Sequence, residues 1–173
     1  MTLYPANVIS LVGPSGSGKT DLICRLVACL KAWGRTVAVL KHSHKTRLAE
    51  ADSARAYREA GAQAAAAVGP NILQISRFQE KEPNLPEVLA DLASKADVVI
   101  VEGYKQSPLP KIAFAAPGQD QIRLNASRVV AWLSPEPANS SLPVFLPEDT
   151  EAIGAFILNF LGISSPEAGP KTS

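Results

Sequence analysis

The chain has 173 residues, 17 Lys and Arg against 16 Asp and Glu, and a formal net charge of +1. That length fits one ordinary domain with a core that needs no disulfide or metal staple. So even a balance of charge offers no basic field for a polyphosphate backbone, which argues against nucleic acid as a partner. No apolar run approaches the roughly 20 residues that span a bilayer, and the opening "MTLYPANVIS" lacks the pattern of a secretion signal, so no membrane is expected and the protein reads as soluble and cytoplasmic.

In chain order, "NVISLV" (7–12) is a short apolar run ending at glycine, as in a strand covered on both faces. A helix follows from Gly18 to Trp33, with Leu22, Leu26, Cys29 and Trp33 at helical spacing, an Asp21–Arg25 pair, and Gly34 as the stop. Its cysteines, Cys24 and Cys29, match neither a tight disulfide nor a zinc pair and read as reduced core thiols. "TVAVLK" (36–41) reads as a second strand. A basic loop, "HSHKTRLAEA", leads to a short helix capped by Asp52 or Ser53 and ended by Gly61. "AAAAV" and "ILQIS" are weak strand candidates, "LPEVLADLASKA" a helix, and "DVVIVEG" (97–103) a clear buried strand. "KIAFAA", "RVVAWL" and "PVFL" read as strands, and "DTEAIGAFILNFL" as the closing helix.

Strands alternating with helices predict βαβ units: an α/β fold with a mostly parallel twisted sheet and helices on both faces. Residues 1–163 are expected to form a single P-loop nucleotide-binding domain, and 164–173, "SSPEAGPKTS", a disordered tail.

The phosphate-binding expectation rests on "GPSGSGKT". Gly13, Gly18, Lys19 and Thr20 meet G-x-x-x-x-G-K-[ST] between a strand and a helix, the setting that the motif requires. Pro14, Ser15, Gly16 and Ser17 complete the loop. Glycines let successive N–H groups turn inward on phosphate oxygens at a helix N-terminus. Lys19 would reach the β- and γ-phosphates, and the Thr20 hydroxyl would ligate a magnesium ion. A magnesium nucleotide also needs an acid at the carboxyl edge of a neighbouring strand; Glu102 is placed there to hold the metal or position a water, which makes it with Lys19 the catalytic candidate, and Asp52 is a second candidate for the metal. "SKAD" (94–97) resembles a base-reading motif but precedes its strand, so Asp97 belongs to the opposite edge as a turn or cap residue. His42 and His44, with Lys41, Lys45 and Arg47 nearby, suit contact with a second anionic group better than zinc. Two prolines stiffen "GYKQSPLPKI", whose Lys105 and Lys111 offer a basic docking loop.

With "LKHSHK", "DSARAYREAGA" and "VEGYKQSPLPKI" following the phosphate loop in that order, the chain resembles the molybdopterin-guanine dinucleotide biosynthesis protein B (MobB) family from about Val8 to Leu161. The resemblance implies a P-loop fold binding GTP with magnesium, at most slow GTPase activity, and a homodimer. It also implies a helper role for a MobA-like molybdenum cofactor guanylyltransferase, which joins GMP to the molybdopterin cofactor. In those terms Gly13–Thr20 match the nucleotide loop, His42 and His44 the "KH-x-H" stretch, and Glu102 and Gly103 the "VEG". Lys105 and Lys111 match the lysines that follow. The chain departs from the family at Lys45 and Thr46, where another His and an acid are common, in a shortened connection to Asp52, and at Pro135, where an Asp is common. The competing readings are a small-molecule kinase using ATP or GTP and, third, a metal-delivery GTPase served by His42 and His44.

Overall fold

The run Val8–Val12 forms strand β1, with all five side chains buried. The computed structural model describes residues 4–42, 52–115, 128–136 and 140–164. Helix α1 (Lys19–Ala32) follows β1, then strand β2 (Val37–Lys41), helix α2 (Asp52–Glu59), strands β3 (Ala64–Val68) and β4 (Leu73–Arg77), and helix α3 (Leu85–Ala93). Strands β5 (Val98–Glu102), β6 (Lys111–Phe114), β7 (Val129–Leu133) and β8 (Val144–Phe145) precede the closing helix α4 (Thr150–Phe160). Two compact units share these elements, one of Met1–His42 with Pro86–Ser173 and the other Ser43–Leu85.

In the first unit six strands pair in the order β2-β5-β1-β6-β7-β8, every pairing parallel. Residues two apart in a strand share a face. On one face Ile9, Leu11, Ile100 and Ile112 pack with Leu22, Leu26 and Leu30 of α1 and Ile153, Ile157 and Leu158 of α4. On the other face of β5, Val99 and Val101 are buried as well, as expected for a central parallel strand. Each aliphatic side chain fully buried here contributes about 1.5–3 kcal/mol.

Helix α1 ends by the predicted glycine stop. Gly34 takes φ 75°; its N–H bonds to Lys31 O and that of Arg35 to Leu30 O, both at 2.9 Å, so the last carbonyls are satisfied. The Arg25–Asp21 pair forms at 3.0 Å, and the same guanidinium donates to Pro147 O and Thr150 Oγ1, tying α1 to the start of α4. The cysteines depart from expectation: Cys24 is exposed and Cys29 half-buried. The stripe that meets the sheet is Leu22, Ile23, Leu26 and Leu30, which turns Cys24 to solvent and Cys29 toward α4. There its Sγ lies 3.7 Å from where a Cβ on Gly154 would stand. Burial, and then the Glu151 carboxylate, push the Cys29 thiol above its ordinary pKa.

The second unit holds α2 and a two-stranded antiparallel hairpin of β3 and β4, in register from Ala64 opposite Arg77 to Val68 opposite Leu73. Both weak strand candidates are strands, and they pair with each other alone instead of joining the parallel sheet. The connection Gly69–Ile72 is far too short for the dozen or more residues of a parallel crossover, and it closes with Gly69 N–H on Ile72 O at 2.8 Å. Helix α2 begins at Asp52 and gives way at Gly61, φ 98°.

Candidate functional site

The phosphate loop is fixed at its start by packing and at its end by backbone conformation. A Cβ on Gly13 would lie 2.7 Å from Phe114 Cβ of β6, so only glycine lets the chain leave β1 along this path. Gly16 and Gly18 take φ 78° and 84°, left-handed values that other residues adopt at a cost. Gly18 caps α1 without any side-chain hydrogen bond to the helix. The leading N–H groups of that helix, with its positive dipole end, therefore face an approaching anion uncapped.

Lys19 folds back over the loop, its Nζ 3.2 Å from Gly13 O, 2.5 Å from Pro14 O and 3.3 Å from Ser17 Oγ. Burial lowers its pKa, Glu102 raises it, and Lys41 lowers it further. All three contacts are neutral acceptors near a half-exposed ammonium, and a phosphate oxygen is a stronger partner than any of them.

Thr20, in the first turn of α1, donates its hydroxyl to Glu102 Oε2 at 3.0 Å. Glu102 closes β5, and in the parallel register it stands beside Leu11 of β1 and Lys41 of β2. Its other oxygen, Oε1, lies 3.1 Å from Lys41 Nζ, which also donates to Thr20 Oγ1 at 3.3 Å. The Glu102 side chain is only 12% exposed and that of Lys41 57%. Hard oxygen donors suit magnesium, and two cis ligands on an octahedral ion at about 2.1 Å stand about 3.0 Å apart, so the Thr20 and Glu102 oxygens fit that ion. Among the described residues no cluster of three or more His, Cys, Asp or Glu side chains is placed to hold a metal. An ion here would complete its shell with phosphate and water.

The exit from β5 is tightly built. Gly103 has φ 104°, and a Cβ there would stand 3.2 Å from His42 Cβ. Its carbonyl accepts from the buried Ser10 hydroxyl at 2.7 Å, and its N–H donates to Leu11 O at 3.1 Å. Tyr104, at φ 52°, stacks on the His42 ring with centroids 4.1 Å apart.

The structure thus brings Lys19, Thr20 and Glu102 together in one unit, with His42 at the adjoining strand end. Lys105 is exposed on the loop after Tyr104. Lys111 is not a docking residue: its side chain is fully buried at the start of β6, where Nζ donates to Ser107 O and Leu109 O. Asp52 opens α2 in the other unit, and His44 lies outside the described residues. Asp97 holds the opposite edge, Oδ2 accepting from the Thr36 N–H and hydroxyl at 2.8 and 2.7 Å. Sequence reasoning had grouped Lys41 with the basic loop and missed its place between Thr20 and Glu102. Only the β2–β5 pairing gives that place, and its one sequence signal is a lysine at the carboxyl end of an edge strand.

A parallel sheet with a glycine loop, a lysine and a threonine opening the first helix, and an acid at the neighbouring strand end define a P-loop NTPase-like protein. Residues 8–134 match the family model for molybdopterin guanine dinucleotide synthesis protein B, MobB, and the chain belongs to that family. It is 28% identical over 166 residues to the probable molybdopterin-guanine dinucleotide biosynthesis adapter protein of Bacillus subtilis, covering 91% of this chain and 94% of that one. A MobB homolog from Bacillus stearothermophilus, solved by X-ray crystallography, superposes with a TM-score of 0.70 at 29% identity, over 90% of this chain and 98% of the other. A crystal structure of molybdopterin-guanine biosynthesis protein B gives a TM-score of 0.75 at 26% identity, over 90% and 99%.

Proposed function

We propose that this protein is a GTP-binding adapter of molybdopterin-guanine dinucleotide biosynthesis. Family membership supports the pathway and the adapter role. The observation that carries nucleotide binding is the uncapped start of α1 with Lys19 and the Thr20–Glu102 pair beside it. In this reading the loop from Gly13 to Thr20 cradles the phosphates, Lys19 bears on the β- and γ-oxygens, and Thr20 and Glu102 hold the magnesium ion that neutralises them. Hydrolysis is slow in this reading, because Glu102 is committed to Thr20 and the metal and is not free to orient an attacking water. His42, His44 and Lys105 supply contacts for a second anion, and the partner is a MobA-like guanylyltransferase carrying the molybdopterin cofactor.

The homodimer expectation finds support in the β3–β4 hairpin. A two-stranded hairpin is marginal by itself, yet Val68, Leu73 and Ile75, which share one of its faces, are 82%, 61% and 53% exposed. A second copy of the chain is the occupant proposed for that apolar face. No helix among the described residues is long and apolar enough to cross a membrane.

The test is parallel titration with magnesium GTP and magnesium ATP, repeated on Lys19→Ala. GTP-selective affinity that falls about 100-fold or more in the variant, the equivalent of about 2.7 kcal/mol, supports the reading. ATP-selective binding overturns the guanine preference, turns attention to Pro135 after β7, and favours a kinase.

A further inference from the structure

We infer that Lys41 is a gate on the metal position: its ammonium and a divalent cation compete for the same two groups, the Thr20 hydroxyl and the Glu102 carboxylate. The inference rests on the magnesium-nucleotide reading of this site and deepens it. Three distances carry it. Thr20 Oγ1 and Glu102 Oε2 are 3.0 Å apart, and Lys41 Nζ lies 3.3 Å from the first residue's hydroxyl and 3.1 Å from the second residue's Oε1. The ammonium is thus already the counter-ion of the carboxylate that would bind the metal. It is set there by the sheet itself, since Lys41 and Glu102 are partners in the β2–β5 register.

A divalent ion bridging Thr20 and Glu102 would stand within a few ångströms of that ammonium, and like charges so close repel strongly at a surface of moderate dielectric. The two cations cannot share the position, so the metal enters as Lys41 leaves. Leaving costs little, because the lysine side chain is 57% exposed on an edge strand and its four-carbon stem rotates freely. A nucleoside triphosphate changes the balance, since its phosphate oxygens give both cations an acceptor. Metal and nucleotide then favour each other's binding reciprocally. Metal alone is held weakly, and Lys41 is the reason.

The probe is Mn2+ alone, titrated into nucleotide-stripped protein and followed by the loss of the free-ion EPR signal. With its lysine end 57% exposed, the pair resists displacement by about fivefold, so Lys41→Met is expected to bind Mn2+ about fivefold tighter than wild type. Lys41→Arg, which keeps the charge, is expected to stay near wild type. Lys41→Met/Glu102→Gln is expected to lose the gain, which ties the tighter ion to this carboxylate. Equal or weaker Mn2+ affinity in Lys41→Met, a gain that survives Glu102→Gln, or no measurable binding in any variant overturns the gate. The nucleotide reading fails separately, if magnesium GTP does not bind wild type, because the Mn2+ series is run without nucleotide.

Discussion

Asp97 and Glu102 stand at the two ends of strand β5, and the protein uses them oppositely. Asp97, at the amino edge, accepts both hydrogen bonds from Thr36 and joins the start of β5 to the turn before β2. The same edge carries Asn7, whose amide donates to Ala93 O and Ala96 O at the end of α3. Each polar group there completes the backbone of a neighbouring element. At the carboxyl edge, Glu102 faces a threonine hydroxyl and a lysine ammonium, and Lys19 caps its own loop. Those are exchangeable partners, each weaker than a phosphate or a divalent ion would be. One edge of the sheet bonds to the backbone of neighbouring elements, whereas the other holds the side-chain contacts on which the proposed nucleotide site rests.

Substitutions should separate the two edges. The largest effect is expected from Glu102→Gln, which removes charge from the proposed metal position and, in that reading, should cut a magnesium-dependent gain in GTP affinity by about 10–100-fold, a typical cost of disturbing a metal shell. Calorimetric titration with and without magnesium reads it, and an unchanged gain would dissolve the contrast with Asp97. Next comes Gly13→Ala. Its Cβ would meet Phe114 Cβ at 2.7 Å, neither a flexible side-chain end, so urea unfolding should show a loss of about 1–3 kcal/mol.

A smaller effect belongs to Lys111, which burial and then the Arg128 guanidinium hold at about 8, below the ordinary 10.5. Between those values the unfolded chain binds more protons than the folded one, so stability rises with pH across that window. Lys111→Met should flatten the rise and, by leaving Ser107 O and Leu109 O without this donor, cost about 1–2 kcal/mol near pH 7. The smallest is Asp97→Asn. The Thr36 hydrogen bonds hold the Asp97 carboxyl below its ordinary value. Its contribution is therefore complete above the unfolded carboxyl's pKa and drains away as pH falls through the lowered folded one. The variant should melt slightly earlier at neutral pH, lose part of the acid-side slope, and bind nucleotide as wild type does.

The parallel sheet was legible because β1 and β5 are short apolar runs, and the phosphate loop because glycine spacing and a following helix define it locally. The place of Glu102 followed from strand direction alone. Lys41 was placed at the end of β2, but its pairing with Glu102 depends on β2 lying beside β5, a long-range neighbourhood that no local pattern encodes. Lys111 misled for a related reason: a lysine directly after two prolines reads as the end of a surface loop until the strand that it opens is known to be central. The alanine run of β3 has no strong strand propensity, and only the short turn after it dictates an antiparallel hairpin.

The strand order also sets when this site comes into being. β1 has β5 and β6 as its neighbours, not β2, and the Thr20–Glu102 contact spans 82 positions. A chain emerging from the ribosome therefore exposes an apolar β1 and an unsupported glycine loop until Val98–Glu102 has been made. Contacts so distant in sequence form slowly and leave a window for aggregation. In the proposed nucleotide-binding role, capture would report on the finished sheet, and a truncated product ending before β5 would carry the whole motif without the Glu102 that completes the site.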